Sequence, residues 1–255
     1  MAGIQVELET VRSYLDSYLD IASIPDEANA VNGLQVGNSG HVTRVGAAVD
    51  ACQATILMAA TRGCDLLLVH HGLFWRGTQP LIDSHFRRVR TLIRNEIAVY
   101  SSHIPLDHHA EVGNNAQLAR ALGLSDIARF GDYQGIALGV CGTLVISRAE
   151  LVNRCHELLG PKPHLIAGGP EQVQRVGVIT GGAGSMIDDA KAAGLDTFIT
   201  GEGSHYTHFD AEEGGINVVY GGHYATETFG VKALAQHLEQ EFGLPWEFID
   251  HPTGL

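Results

Sequence analysis

The sequence predicts an α/β protein built from two similar, interlinked lobes with mainly parallel sheets. Short apolar runs alternate with helical patterns along the chain, and one such segment recurs further on. Glycine is also abundant, with 31 among 255 residues, which fits many tight strand-to-helix turns. A chain of this length can bury a large core.

The N-terminal half begins with a helix and then alternates between strands and helices. Apolar side chains at helical spacing predict a helix over residues 7–22. The runs VGAAV and DLLLV predict strands on either side of a helix that ends near Gly63 and begins with Asp50 as its N-cap. This order indicates a parallel βαβ unit. A further helix over residues 86–93 leads to the strand EIAVY.

The C-terminal half contains two more recognisable helices. Ser147 and Glu150 form a capping-box pattern, which predicts a helix that ends at Gly160 and Pro161. Apolar residues at helical spacing over 231–242 predict a helix near the C-terminus, which we expect to return to the first lobe.

An internal repeat underlies the prediction of two lobes. Residues 45–72 align with residues 176–203 without a gap and with seven identities. A second match places His103 over His223 and Asp107 over Glu227. We therefore predict a duplication, with a first lobe formed by 1–125 plus 217–255 and a second lobe formed by 126–216.

The charge and the cysteines restrict the class of protein. The 16 basic and 29 acidic residues give a formal net charge of −13, which argues against binding nucleic acid through a basic face. No apolar stretch approaches the roughly 18 residues of a membrane span, and no secretory signal is visible at the N-terminus. The four cysteines are scattered, as is typical of buried free thiols in a reducing compartment. We expect a cytoplasmic protein.

Many of the 14 histidines lie just beyond predicted strands. In open α/β sheets, ligands bind at the carboxyl ends of the strands. The residues concerned are His70, His71, His103, Asp107, His108, His109, Glu202, His205, His208, His223 and Glu227. Imidazole and carboxylate groups together suit Zn, Fe, Mn, Ni or Co.

The spacing of these residues favours two cations over one. Adjacent residues on an extended strand point in opposite directions, so His70 and His71 would each reach a different cation. Carboxylates can bridge two neighbouring cations. From spacing alone, buried structural histidines are an equal alternative. A separate glycine-rich turn around Ser185 predicts a tight strand-to-helix connection whose N–H groups could receive an anion.

Six motifs occur in one order along the chain and together resemble a known family. They are NGLQV (32–36), HHGLFW (70–75), SSHIPLD (101–107), GNN with its following helix pattern (113–124), TGE (200–202) and GHYATE (222–227). The chain resembles the Nif-three-like family of dinuclear-metal proteins, whose members carry the name GTP cyclohydrolase 1 type 2.

The resemblance implies two interlinked α/β domains, a ring-shaped homohexamer and a two-metal site facing the cavity of the ring. Matched motifs imply that the cations are bound by His70, His71, Asp107, His223 and Glu227. The two carboxylates would be the bridging ligands. His103 would be a catalytic proton shuttle or substrate contact, and Trp75 would shape the pocket.

The resemblance also implies hydrolysis of a small molecule, such as a nucleotide, by a metal-activated water. Two alternatives use the same residues. One is a metal-binding, metal-delivery or interaction protein without turnover, and the other is a metal-dependent phosphoesterase.

Overall fold

The structure, a computed structural model, describes residues 4–77, 79–160 and 162–255. Its helices are α1 (Leu8–Tyr18), α2 (Gln53–Thr61), α3 (Asp83–Arg94), α4 (Ile104–His108), α5 (Asn114–Leu122), α6 (Arg148–Leu159), α7 (Ile187–Ala192), α8 (Thr207–Gly214), α9 (His223–Thr226) and α10 (Thr228–Phe242). Its strands are β1 (Val6–Glu7), β2 (Gly33–Val36), β3 (His41–Val42), β4 (Val45–Asp50), β5 (Leu66–His71), β6 (Ala98–Ser101), β7 (Ser125–Tyr133), β8 (Ile136–Ser147), β9 (His164–Ala167), β10 (Gln172–Val178), β11 (Thr197–Thr200), β12 (Asn217–Tyr220) and β13 (Trp246–Phe248).

The chain divides into two compact units. The first comprises residues 1–106 and 230–251, and the second comprises 107–229 and 252–255. These boundaries differ from those predicted, which placed 107–125, 217–229 and 252–255 in the first lobe. β12 belongs to the second unit because it pairs with β11 and β9 and so completes that sheet. Residues 107–125 belong there because Leu118 and Leu122 of α5 are part of the core of the second unit.

The first unit contains a five-stranded sheet in the order β13-β4-β5-β6-β2. The four strands from β13 to β6 are parallel to their neighbours, and β2 is antiparallel to β6. The run Leu66–Val69 is buried throughout, as expected for a central parallel strand covered on both faces. The expectation of mainly parallel pairing is therefore confirmed for this unit.

The second unit contains a six-stranded sheet in the order β7-β8-β10-β11-β12-β9. Only β10, β11 and β12 are parallel to one another, and the other pairings are antiparallel. The expectation of a mainly parallel sheet is wrong here. The long hairpin formed by β7 and β8 and the returning strand β9 make the sheet mixed.

The two sheets share one arrangement that agrees with the predicted repeat. In each, three neighbouring parallel strands are followed by an antiparallel strand: β4, β5, β6 and β2 in the first unit, and β10, β11, β12 and β9 in the second. The aligned segments thus occupy corresponding strands. Each unit also has its own apolar core, which includes Leu67 and Leu92 in one and Val176 and Ile199 in the other.

Local signals in the sequence behave differently at two helix starts. Ser147 caps α6 as predicted, because its side chain accepts a hydrogen bond from the Glu150 N–H, and Gly160 follows the helix. Pro161 lies outside the described residues. Asp50 was predicted to cap α2, and this is wrong: β4 continues through Asp50, and Cys52 is the N-cap. Among the described residues, no helix has the length and hydrophobicity needed to cross a membrane.

Candidate metal centre

The first unit collects three histidines at one edge of its sheet. His70 and His71 end β5, and His103 follows β6 by two residues. These strands are parallel neighbours, with Val69 opposite Ser101, so the residues that follow them emerge at the same edge. The tertiary structure therefore brings these three predicted site residues together.

The three imidazoles form a compact cluster. The ring centroid of His70 lies 4.8 Å from that of His71 and 4.9 Å from that of His103. One nitrogen from each ring can be chosen so that all three lie within 4.8 Å of one another. Neutral imidazole nitrogens at this spacing can coordinate a transition-metal cation.

Each histidine in the cluster has its Nδ1 engaged by an oxygen. His70 Nδ1 lies 2.9 Å from the Ser102 carbonyl oxygen, and His71 Nδ1 lies 2.9 Å from Asp50 Oδ1. His103 Nδ1 lies 2.7 Å from Asp26 Oδ1. An oxygen acceptor at Nδ1 places the proton there and makes Nε2 the nitrogen whose lone pair can bind a metal or a proton.

Asp26 is held in place by several donors. Its second oxygen accepts hydrogen bonds from Asn32 Nδ2 at 2.8 Å and from the Ile104 N–H at 2.9 Å. Burial would raise the pKa of Asp26, but the hydrogen bonds from His103, Asn32 and Ile104 outweigh burial and lower the pKa below its usual value. Asp26 therefore stays ionised beside His103.

The glycine of the HHG sequence allows the loop after β5 to pack closely. A Cβ at Gly72 would overlap the Gln35 side chain, which accepts a hydrogen bond from the Leu73 N–H at 2.7 Å. The next turn carries Trp75, whose ring meets those of His71 and His103 edge-on, with centroids 5.5 and 4.7 Å away. Its buried indole N–H donates to no group among the described residues.

The second unit positions a histidine between two carboxylates. His223 begins α9 three residues after the end of β12, and its Nδ1 donates to Glu202 Oε1 at 2.8 Å. Its Nε2 lies 3.1 Å from Glu227 Oε1. Burial would lower the pKa of His223, but the hydrogen bonds and charges of Glu227 and Glu202 raise it to about 9. Both ring nitrogens of His223 thus face a carboxylate. A metal cation bound at Nε2 would neutralise the charge of Glu227 as a proton at Nε2 does.

A glycine makes room for Glu227. Gly181 follows β10 with φ +71°, and a Cβ there would overlap Glu227 Oε1. The Gly181 N–H donates to Thr226 Oγ1 at 3.1 Å, so this turn packs directly against α9. The backbone at Gly181 therefore forms a cradle around the carboxylate that a side chain would fill.

Asp107 is the other buried carboxylate of this unit. Only 5% of Asp107 and 2% of Glu227 is exposed. Asp107 Oδ1 accepts hydrogen bonds from Asn114 Nδ2 at 2.8 Å and from Thr180 Oγ1 at 3.2 Å. Buried carboxylates are costly unless they are hydrogen-bonded or bind cations. Taken unit by unit, imidazole nitrogens and buried carboxylates form a donor set that fits divalent metal ions.

Comparison with known proteins identifies the family. The family model described as Duf34/NIF3 (NGG1p interacting factor 3) matches residues 6–253. The chain belongs to the Duf34/NIF3 family. A relative from Deinococcus radiodurans, named GTP cyclohydrolase 1 type 2 homolog, is 46% identical over 249 residues, which cover 97% of this chain and 94% of the relative. The resemblance found in the motifs is thereby confirmed.

Solved structures of related proteins share the fold. The crystal structure of TTHA1606 from Thermus thermophilus has a TM-score of 0.87 and 41% identity, and covers 98% of this chain and 100% of its own. The protein ybgI, described as of unknown function, has a TM-score of 0.90 and 38% identity with the same coverage. These likenesses confirm the mixed α/β architecture.

Four other predicted site histidines of this Duf34/NIF3 protein lie outside the cluster of His70, His71 and His103. His109 Nδ1 accepts hydrogen bonds from two backbone N–H groups in the turn before α5. The carbonyl oxygen of His108 accepts from Arg129 at 2.5 Å, and burial lowers the pKa of His108. His205 and His208 are exposed and contact the ring of Phe209.

Sequence reasoning missed two carboxylates of the histidine cluster, Asp26 and Asp50. For Asp50 a signal existed, because it lies at the carboxyl end of a strand, where ligand-binding residues collect. In the parallel register it lies directly opposite His71. Asp26 lies outside any helix or strand, and nothing in its neighbourhood in the sequence indicates its role.

Proposed function

We propose that this protein is a dinuclear metal-dependent hydrolase, similar to the activity named in its GTP cyclohydrolase 1 type 2 relatives. The observation that carries the proposal is the cluster of His70, His71 and His103, in which every Nδ1 is held by an oxygen. This shared arrangement makes Nε2 the metal-binding or proton-binding nitrogen of each ring. Purely structural histidines do not require it.

We assign the metal ligands to both units. His70 and His71 would each bind a cation through Nε2, and His223 would bind through Nε2 while Glu202 fixes its ring. Asp107 and Glu227 would be the carboxylate ligands of the second unit, and their negative charge would offset the positive charge of bound cations. When bound, the cations would lower the pKa of a water molecule and polarise the substrate.

His103 would move the proton in this reaction. The ionised Asp26 holds the proton on His103 Nδ1 and stabilises the positive charge that forms when Nε2 takes a second proton. Nε2 would then accept a proton and return it to a nitrogen of the substrate. Trp75, whose ring lies edge-on to those of His71 and His103, would shape the pocket beside these rings.

The experiment measures turnover by protein loaded with Zn, Fe, Mn, Ni or Co, because the donor set suits all five. GTP, other nucleotides and simple phosphoesters are the substrates. Activity should disappear in the variant His71→Ala, Asp107→Ala and persist in the control His156→Ala, Asp188→Ala, which changes exposed residues.

Three results would redirect the assignment. Equal activity in the two double variants would contradict hydrolysis at this site. Labile, readily exchangeable metal with no turnover of any substrate would favour a metal-binding or metal-delivery protein, and metal analysis after gel filtration together with a dissociation rate measures this. Phosphate release from simple phosphoesters without GTP ring opening would favour a phosphoesterase. The proposed homohexamer is tested separately by light scattering, which should give six times the mass of one chain.

A further inference from the structure

A pocket of about 350 Å³ lies within the second unit, beside the Glu202 side chain. Two loops form its walls. One follows β10 and contributes Gly182 and Ser185, and the other follows β11 and contributes Glu202, Ser204 and Tyr206. The Gly184 N–H donates to the Glu202 carbonyl oxygen at 3.1 Å and ties the loops together. The pocket therefore belongs to the edge of the sheet that also positions His223.

The pocket presents both hydrogen-bond donors and acceptors. Ser185, Ser204 and Tyr206 contribute hydroxyl groups, and Gly182 and Gly203 expose backbone. The N–H groups of Gly203 and Ser204 donate to no other group among the described residues. Within this lining Glu202 is the one ionisable carboxylate. Uncharged hydroxyl and backbone N–H donors thus surround one charged acceptor, the Glu202 carboxylate.

Glu202 retains capacity to bind a ligand. One of its oxygens accepts from His223 Nδ1, and 52% of its side chain is exposed. A carboxylate has about four lone-pair positions, so this hydrogen bond leaves most of them open. The negative charge disfavours a phosphate group in this pocket and favours a group that carries several N–H donors.

We propose that this pocket binds the edge of a purine that carries an N1–H, a 2-amino group and a 6-carbonyl, as guanine does. Glu202 would accept from the two N–H donors, and the Gly203 or Ser204 N–H would donate to the carbonyl. This inference rests on the proposed function, for which it names the base that the site selects. Adenine presents the opposite pattern at N1 and C6 and would leave Glu202 facing an acceptor.

The size and walls of the pocket agree with a base as the occupant. Ligand pockets span roughly 300–1,000 Å³, and a volume of about 350 Å³ is at the small end, suited to a nucleobase with part of its sugar. Tyr206 lines the pocket with 55% of its surface exposed, so its ring is available for stacking on a planar base.

The test is equilibrium binding of GMP, IMP and AMP, measured by calorimetry on chelator-treated and on Mn-loaded protein. All three carry the same phosphate, so the ratio of their affinities reports the base alone. The wild type should bind GMP about tenfold or more tightly than AMP, because a hydrogen bond to a charged group is strong. IMP, which lacks the 2-amino group, should fall between them.

Two variants, each with a matched control, test whether the preference for GMP arises from this pocket. Glu202→Gln keeps an oxygen for His223 but turns an amide N–H toward the base, so the preference for GMP should collapse to a ratio of about one. Glu213→Gln, on the exposed side of α8, should retain it. Tyr206→Ala should weaken GMP and AMP alike, and Phe209→Ala, an exposed ring outside the pocket, should weaken neither.

Equal affinity for GMP and AMP in the wild type, absence of nucleotide binding, or a GMP preference that survives Glu202→Gln would each overturn this proposal. The two proposals can fail independently. A preference for GMP without any turnover would support base selection by the pocket and contradict the proposed hydrolase activity. Turnover without discrimination between the bases would support the hydrolase activity and contradict base selection by the pocket.

Discussion

At the scale of single residues, the histidines of this protein are held by oxygens that come from distant parts of the chain. The partner of His103 lies 77 residues away, and the partners of His71 and His223 each lie 21 residues away. In the aligned repeats, His71 corresponds to Glu202 and Asp50 corresponds to Gly181. The histidine–carboxylate pair thus joins the ends of β4 and β5 in the first unit, but the ends of β11 and β12, which align with β5 and β6, in the second.

Asp50 should support metal binding without touching the metal. Replacing Asp50 by Asn keeps an oxygen near His71 Nδ1 but removes the charge that raises ligand basicity, and Asp50→Ala removes both. We expect metal affinity to fall by about 10–100-fold, more for Ala than for Asn, as is common for partners of metal-bound histidines. Chelator competition measures the change. Unaltered affinity in both variants, with circular dichroism unchanged, would show that Asp50 does not position His71.

Gly181 should be required for the placement of Glu227. Gly181→Ala imposes a left-handed conformation on a residue with a Cβ, which costs about 1–2 kcal/mol in free energy of unfolding, and also displaces Glu227 Oε1. Gly194→Ala is the matched control, because Gly194 has φ +70° and open space around its Cβ position. Urea denaturation should show a loss in both variants, and metal affinity should fall only in Gly181→Ala. Equal metal affinity in the two variants would contradict the inference that Gly181 makes room for Glu227.

At the scale of elements, parallel strand pairing gathers the site residues of the first unit. β5 and β6 run side by side, so the motifs HHG and SSH end at one edge although about 30 residues separate them in the chain. A one-residue shift of register would turn His71 away from Asp50, which lies opposite it on β4.

The start of α6 offers a test of local helix capping. Ser147→Ala removes the acceptor for the Glu150 N–H, which lies 3.1 Å from Ser147 Oγ. The free energy of unfolding should fall by about 1 kcal/mol. Ser147→Asp supplies another good capping oxygen and should retain most of the stability. Urea denaturation measures both variants, and equal losses in the two would mean that the capping hydrogen bond contributes nothing.

At the scale of the whole molecule, acidic charge and buried carboxylates favour cation binding. The net charge is −13, and Asp107 and Glu227 are almost fully buried. A ligand that binds only the folded state stabilises it by mass action, and at a concentration 100 times its Kd the gain is about 2.7 kcal/mol.

Divalent cations should therefore raise the melting temperature of chelator-treated protein, and chelator should lower it again. The comparison uses wild type and His70→Ala in calorimetric scans with Zn or Mn. The shift should shrink in the variant, because His70 is a proposed ligand, and should persist in His156→Ala, where an exposed histidine is removed. An identical shift in all three proteins would indicate that the cations act elsewhere.

The sequence by itself determined several of the elements, the repeat and the identity of the histidines. Buried strands such as β5 carry apolar runs, and parallel sheets bind ligands where those runs end, so His70 and His71 were recognisable from local pattern. Ser147 was recognisable as a cap for the same reason, since its hydrogen bond spans three residues.

Only the tertiary structure decided which oxygen each histidine meets, where the two units divide and that the second sheet is mixed. Asp50 resembled a helix cap in the sequence, because its contact with His71 arises only when β5 pairs with β4. The role of Asp26 is not visible in the local sequence, because its partner His103 lies 77 residues away. The assignment of β12 to the second unit likewise depends on pairing with β11 and β9. Local patterns reflect contacts within one element, whereas these features arise from contacts between elements that are remote in the chain.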